Sequence, residues 1–105
     1  MPRQKSAQLI VVYWRDIPAQ VIARAGRDMA KRELDQRFIT AIDACAMKAG
    51  MAGTDDYLEQ WRKGDPEPCA EDLDAVADQA VKDLEEAYTR ERVKALVHAG
   101  GFEDA

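Results

Sequence analysis

The sequence has little of what catalytic, metal and nucleotide sites require. Its 105 residues include one histidine and two cysteines, too few for a disulfide framework or for a zinc site with closely spaced ligand pairs. Gly50 and Gly53 lack the spacing and the lysine of a phosphate-binding loop. The acidic residues of segment 65–86 lack the alternating pattern and the central glycine of a calcium loop. The residues therefore predict no catalytic, cofactor-binding or metal-binding set and no cofactor, and they favour a non-enzymatic protein.

Long hydrophobic runs are also absent. The longest one, segment 9–14, has the length of a strand, whereas a membrane-spanning helix needs about 18 apolar residues or more. No apolar region of signal-peptide length follows the basic first residues. We expect a cytoplasmic protein without a membrane partner, in which Cys45 and Cys69 are reduced. A disulfide bond between these two cysteines remains an alternative.

Charge is distributed unevenly along the chain. The net charge of -5 argues against nucleic-acid binding, which requires a basic surface. Residues 1–48 contain nine lysines and arginines against five acidic residues, whereas residues 49–105 contain six against fifteen. This asymmetry indicates either that the two halves pack together or that each half has a different partner.

The N-terminal part is predicted to form a β-hairpin. Segment 8–15 is rich in β-branched and aromatic residues, and segment 20–26 has a similar character. Pro18 favours a turn between them. With Ile17 and Pro18 at the centre of the turn, Trp14 would lie opposite Val21, and one face of the hairpin would be wholly apolar.

The remainder of the chain is predicted to be helical. From about Asp28, apolar residues recur at helical spacing up to a stop at Gly50 or Gly53. Thr54 is a good N-cap for a second helix over 57–63. Segment 64–68 breaks this helix, and a long third helix follows Pro68, with an apolar piece over 93–97. Whether Thr89 interrupts the third helix is open at this level.

The order of elements predicts an α+β fold, β-β-α-α-α, with a hairpin followed by about three helices. Residues 1–105 are expected to form one domain, with an ordered core over 6–99 and tails over 1–5 and 100–105. Two strands alone are marginally stable in water. A homodimer that pairs strands into a larger sheet would supply the missing partners.

Two neighbouring surfaces are candidates for function. In the predicted register, the second face of the hairpin presents Tyr13, Arg15, Ile22 and Arg24, and Arg27 follows at the start of the first helix. Arginine side chains suit carboxylates and phosphates, so this face is a candidate surface for an anion or a protein partner. The alternative is that these arginines pair with the acidic third helix. Tyr13 next to Ile22 would be an exposed aromatic patch of the kind found at interfaces.

The string from Trp14 to Gln20, Trp-Arg-Asp-Ile-Pro-Ala-Gln, resembles the opening motif of a bacterial domain family labelled "virulence factor". Segments 24–27, 38–43 and 57–61 are similar too, so the likeness covers about residues 8–90. Stand-alone members of that family accompany folate- and corrinoid-dependent methyl-transfer enzymes. The resemblance therefore implies an accessory role in one-carbon or cofactor metabolism, and it implies no catalytic residues.

Two hypotheses follow from these observations. The first is a non-enzymatic interaction module, a homodimer or a protein bound to a larger enzyme through the face of Tyr13, Arg15, Ile22 and Arg24. The second is a small protein or enzyme that clamps an anionic metabolite with Arg15, Arg24 and Arg27.

Overall fold

The computed structural model describes residues 7–51 and 53–103, and these residues form an antiparallel sheet with helices packed against it. The α+β fold is confirmed. In chain order the elements are β1 (Gln8–Trp14), β2 (Ile17–Ala25), β3 (Asp28–Glu33), α1 (Gln36–Lys48), α2 (Asp55–Glu59), β4 (Trp61–Lys63), β5 (Glu67–Pro68), α3 (Leu73–Ala87) and α4 (Arg90–His98).

The sheet is centred on the two hydrophobic strands of the sequence. Its strand order is β3-β2-β1-β4, and β5 pairs with the beginning of β1. All pairings are antiparallel. The described residues therefore supply five strands, not two, so the strand count gives no reason to expect a dimer.

The predicted register of the first hairpin is wrong. The turn consists of Arg15 and Asp16, and Trp14 lies opposite Ile17, with which β2 begins. The register also shifts between Val12 and Tyr13, as happens at a β-bulge. Pro18 lies beside this irregularity, a position in a sheet where proline is tolerated.

The prediction of a helix starting at about Asp28 is also wrong. The hairpin between β2 and β3 turns at Gly26, whose φ of 61° suits the first position of a type II′ turn. Ala30 of β3 is buried beneath α3. The helix begins only at Gln36, after Asp35 as its N-cap. Tertiary pairing thus overrides the helix propensity of this segment.

The helical half contains four helices in the described residues. Thr54 caps α2 as predicted, but α2 ends at Glu59, and the predicted helical residues up to Lys63 form β4. The chain leaves α3 at Tyr88, and Thr89 caps α4 by accepting a hydrogen bond from the Arg92 amide. The predicted third helix is therefore interrupted at Thr89 and forms two helices, α3 and α4.

The main core lies between the hairpin, α1 and α4. Trp14, Ile17 and Phe38 are fully buried there, and each contributes about 1.5–3 kcal/mol by removal from water. A second core cluster lies where α3 covers β2 and β3.

The predicted C-terminal tail is in part packed against the fold. Gly101 is buried, and its carbonyl accepts a hydrogen bond from the Asp16 amide. The predicted tail at 1–5 and residues 104–105 lie outside the described residues. Both cysteines are free.

Candidate functional site

Arg15 is a structural residue in this fold. Its backbone has φ of 55°, a left-handed conformation that is costly for any residue except glycine. Its guanidinium donates to Gln60 Oε1 at 3.0 Å, to Met51 Sδ at 3.4 Å and to the carbonyl of Gly100. It also lies 4.7 Å from the ring centre of Phe102. Arg15 therefore joins the hairpin turn to the segments after α1, α2 and α4, which uses its donors internally.

Arg24 and Arg27 lie at the other end of the hairpin. Arg24 pairs with Gln8, whereas Arg15 follows Trp14 at the opposite end of β1. At about 3.3 Å per residue, these ends are roughly 20 Å apart. The predicted cluster of Arg15, Arg24 and Arg27 is thus not formed, and these residues cannot clamp one small anion together.

Among the described residues, the arginine that forms ion pairs with the acidic third helix is Arg32, and not Arg15, Arg24 or Arg27. The Arg32 guanidinium contacts Asp74 and Asp78 of α3, each at 2.9 Å. These contacts raise the pKa of Arg32. They hold the beginning of α3 on the edge of the sheet.

Ile22 and Tyr13 do not share a surface. Ile22 is only 6% exposed and packs with Ile10 and Val12 in a third buried cluster. It is therefore not available to a partner. Tyr13 is half-buried and lines an open groove.

The groove has a volume of about 450 Å³ and follows β1 beside α3, on the same sheet face that α3 packs against. The side chains of Leu9 and Val11 form its apolar part, and Tyr13 and Tyr88 contribute aromatic rings. The connection from β4 to β5 forms another wall. We call this site the tyrosine groove; its lining residues are Leu9, Val11, Tyr13, Asp16, Arg62, Gly64, Asp65, Glu67, Tyr88 and Glu103.

The β4–β5 connection approaches β1 closely at Gly64. The Gly64 amide donates to the Val11 carbonyl at 2.7 Å. A Cβ atom at position 64 would lie 3.1 Å from the Tyr13 ring and 3.3 Å from that carbonyl. Glycine at this position therefore allows the wall to lie directly against Tyr13.

One end of the groove contains paired charges. Arg62 Nη2 contacts Asp16 Oδ1 at 2.9 Å, and Arg92 contacts Glu103 at 3.1 Å. The Glu103 amide donates to Asp16 Oδ2 at 2.6 Å. The guanidinium of Arg62 also lies 4.5 Å from the ring centre of Tyr13. These contacts fix the position of Tyr13 and neutralise this end.

The other end of the groove is acidic. Asp65 and Glu67 are exposed and have no ion-pair partner among the residues that the structure describes. Glu67 lies opposite Leu9 in the sheet, so its carboxylate is at the end remote from Asp16. The lining therefore contains four carboxylates and one arginine, and the excess negative charge is concentrated near Asp65 and Glu67.

Tyr88 is a half-buried polar residue of the lining. Burial raises the pKa of its phenol, and the nearby Tyr13, Glu103 and Asp16 raise it further, whereas Arg92 lowers it. The Arg92 guanidinium lies 3.9 Å from the Tyr88 ring centre. Tyr88 thus presents a neutral hydroxyl and an aromatic ring to the groove at neutral pH.

Comparison with known proteins gives one finding. A family model described as virulence factor matches residues 12–97. The chain belongs to the virulence factor family. Searches of curated proteins and of solved structures each found no match.

The residues that match the virulence factor family include the end of β1, the other four strands, the helices up to Val97 and most of the tyrosine groove. Within the matched residues, Trp14 is fully buried and its indole N–H donates to the Tyr57 carbonyl at 3.0 Å. Arg15 and Asp16 form the turn that the C-terminal segment contacts. The string from Trp14 to Gln20 therefore has a structural role in this member of the family.

The described part of this family member shows neither a metal centre nor a membrane span. No group of three or more histidine, cysteine or acidic residues is placed there to hold a metal ion. No helix among the described residues is both long and apolar enough to cross a bilayer. His98 is the exposed last residue of α4.

The sequence of this family member does not reveal that several groove residues belong to one site. Tyr88 follows an apolar helical stripe, and Arg62 lies in a segment with helical spacing. Asp65 and Glu67 alternate with glycine and proline, which indicates a helix break. Arg62, Asp65 and Glu67 reach the groove because β4 and β5 pair with β1, across about 50 residues of intervening chain. Tyr88 reaches it from the end of α3.

Proposed function

We propose that this member of the virulence factor family is a non-enzymatic interaction module whose tyrosine groove binds a lysine- or arginine-bearing segment of a partner protein. The observation that supports this proposal most strongly is the composition of the groove. It combines two tyrosine rings with an unpaired acidic end.

A basic segment fits this arrangement for two physical reasons. Tyrosine is enriched at protein interfaces because its ring is apolar and its hydroxyl is polar. The faces of Tyr13 and Tyr88 also attract cations, as their contacts with Arg62 and Arg92 illustrate. The free carboxylates of Asp65 and Glu67 supply charge complementarity, which favours association with basic partners.

An anionic metabolite is a poor match for the same groove. Its one lining arginine, Arg62, is paired with Asp16, and the remaining charges repel anions. Of the arginines expected to bind an anion, Arg15 lies at the opposite end of the hairpin from Arg24 and Arg27. The geometry of the groove therefore supports the second hypothesis from the sequence less well than the first.

The family resemblance suggests the class of enzyme to which the partner protein belongs. Because stand-alone members accompany folate- and corrinoid-dependent methyl-transfer enzymes, an enzyme of that class is the proposed partner. The role of this chain would then be accessory, and the chemistry would belong to the partner.

The test is affinity capture from the native host with matched variants. The groove variant carries Asp65→Asn and Glu67→Gln. The control variant carries Asp43→Asn and Glu59→Gln, which remove the same two charges from exposed positions outside the groove. Captured proteins are identified by mass spectrometry, and far-UV circular dichroism verifies that both variants are folded.

We expect one protein to be enriched by the wild type and by the control, and to be depleted at least several-fold by the groove variant. Its retention should fall as salt is increased, because exposed charge pairs are screened. Equal capture by all three proteins, or capture of no protein by the wild type, would contradict the proposal.

A further inference from the structure

The sheet has an open edge at β3, which is separate from the tyrosine groove. Among the described strands, β3 pairs only with β2, so one side of β3 is unpaired. Its residues are largely exposed, and Met29 is 53% exposed. An unpaired strand presents main-chain donors and acceptors that can pair with another strand.

The hairpin geometry determines which groups of β3 are open. Ala25 and Asp28 flank the two-residue turn, and in such a hairpin the flanking residues exchange both of their hydrogen bonds. Pairing then alternates along the strand. The main-chain groups of Asp28, Ala30 and Arg32 are directed to β2, and those of Met29, Lys31 and Glu33 are directed to the open side. The Lys31 carbonyl accepts a hydrogen bond from Arg32 Nη1 at 2.9 Å, and its second lone pair is left for a partner strand.

Two copies of β3 can pair antiparallel about a two-fold axis only if open residues meet open residues. An axis through Ala30 satisfies this condition by placing Met29 opposite the partner subunit's Lys31. The same register places Arg27 opposite the partner subunit's Glu33, and Asp28 opposite the partner subunit's Arg32. Because the axis is two-fold, each pair occurs twice.

The neighbouring allowed registers are unfavourable. An axis through Met29 places Arg27 opposite the partner subunit's Lys31, and an axis through Lys31 places this lysine opposite its own copy. Like charges directly opposite each other in a sheet are destabilising. The charge pattern of the strand therefore selects the axis through Ala30.

Two of the charged side chains that this register pairs, those of Arg27 and Glu33, are available to a second copy. Arg27 and Glu33 have no ion-pair partner among the described residues. Arg32 is already bound to Asp74 and Asp78 of its own chain, so the Arg27–Glu33 pairs contribute most of the electrostatic selection. We propose that two copies of this chain associate through β3 about an axis at Ala30, forming one continuous sheet of ten strands.

The test is charge exchange at positions 27 and 33. The variants Arg27→Glu, Glu33→Arg and the double variant are compared with the wild type by size-exclusion chromatography with light scattering over a range of concentrations. Each single variant replaces two attractive cross-strand pairs by two repulsive ones. We expect a roughly tenfold weaker self-association for each single variant and recovery in the double variant.

An equimolar mixture of the two single variants is the most selective experiment. In the mixed dimer every 27–33 pair is again of opposite charge, so the mixture should dimerise more strongly than either variant alone. Glu59→Arg, on α2, is the control for a change of net charge and should dimerise like the wild type. Far-UV circular dichroism verifies folding of each chain.

A wild type that remains monomeric up to high micromolar concentration would overturn the proposal. A dimer that is insensitive to both single variants, or a double variant that stays as weak as the singles, would overturn it as well. None of these outcomes would contradict the proposed binding at the tyrosine groove, because the capture experiment for that proposal changes other residues.

Discussion

Because Arg15 has a positive φ, we predict that glycine at this position gives a more stable protein than alanine, which is the reverse of their usual order of stability. Replacing Arg15 by alanine removes its bonds to Gln60, Gly100 and Met51 and its contact with Phe102. At about 1 kcal/mol for each hydrogen bond and about 0.5–1 kcal/mol for the cation–π contact, the loss is about 3–4 kcal/mol. The alanine variant retains the left-handed backbone.

Arg15→Gly loses the same contacts but accommodates the φ of 55°. A left-handed conformation costs a residue with a Cβ about 1–2 kcal/mol, and part of this gain is offset by the greater freedom of glycine in the unfolded chain. We therefore expect Arg15→Gly to be more stable than Arg15→Ala by about 1 kcal/mol, with both below the wild type.

The assay is urea unfolding followed by tryptophan fluorescence, to which the buried Trp14 contributes. Sucrose can be added equally to all samples if a variant is too unstable. Thr40→Ala and Thr40→Gly, at an exposed position of α1, are the control pair, and there glycine should be less stable by about 1 kcal/mol. If Arg15→Gly is less stable than Arg15→Ala, the account of the turn is wrong.

Three further predictions concern caps, glycines and titration. Thr89→Ala should lower the free energy of unfolding by about 1 kcal/mol in urea denaturation, because Thr89 caps α4; no loss would contradict that role. Gly101→Ala should cost more than Gly50→Ala in the same assay. Both have positive φ, but only at position 101 would the Cβ meet side chains, at 3.0 and 3.1 Å. Because the pKa of Tyr88 is raised, its contribution to stability is complete below the pKa of an unfolded tyrosine, about 10, and is lost as pH rises through the folded pKa. Thermal unfolding should therefore show a smaller stability loss between pH 8 and pH 11 for Tyr88→Phe than for the wild type, and equal losses would refute the assignment.

Features controlled by local chemistry were predictable from the sequence. The N-cap at Thr54 and the stop near Gly50 depend on neighbouring residues alone, and both occur in the structure. The strand of segment 8–15 was recognisable because β-branched and aromatic residues are concentrated there. These signals were sufficient for the fold class.

The elements that were missed depend on distant pairing. Asp28–Glu33 contains good helix formers, and it becomes a strand because the turn at Gly26 brings it against β2. Trp61–Lys63 continues a helical pattern, yet it pairs with the end of β1. Propensity within a short window contains no information about these partners.

The candidate site was predictable only at Tyr13. The sequence indicated an aromatic residue at a surface, and the structure places Tyr13 in the groove. The predicted neighbours Arg15 and Ile22 are instead structural. The error came from the hairpin register, because a shift of register reassigns side chains to the other face of a sheet.

The most direct test of the interaction module is crosslinking from inside the groove. A photoreactive phenylalanine analogue is placed at Tyr13, and in a control protein at Leu58, which is 62% exposed and lies outside the groove. Illumination in native-host cells should give one prominent protein adduct from position 13 and not from position 58. No adduct from position 13, or the same adduct from both positions, would contradict binding at the tyrosine groove.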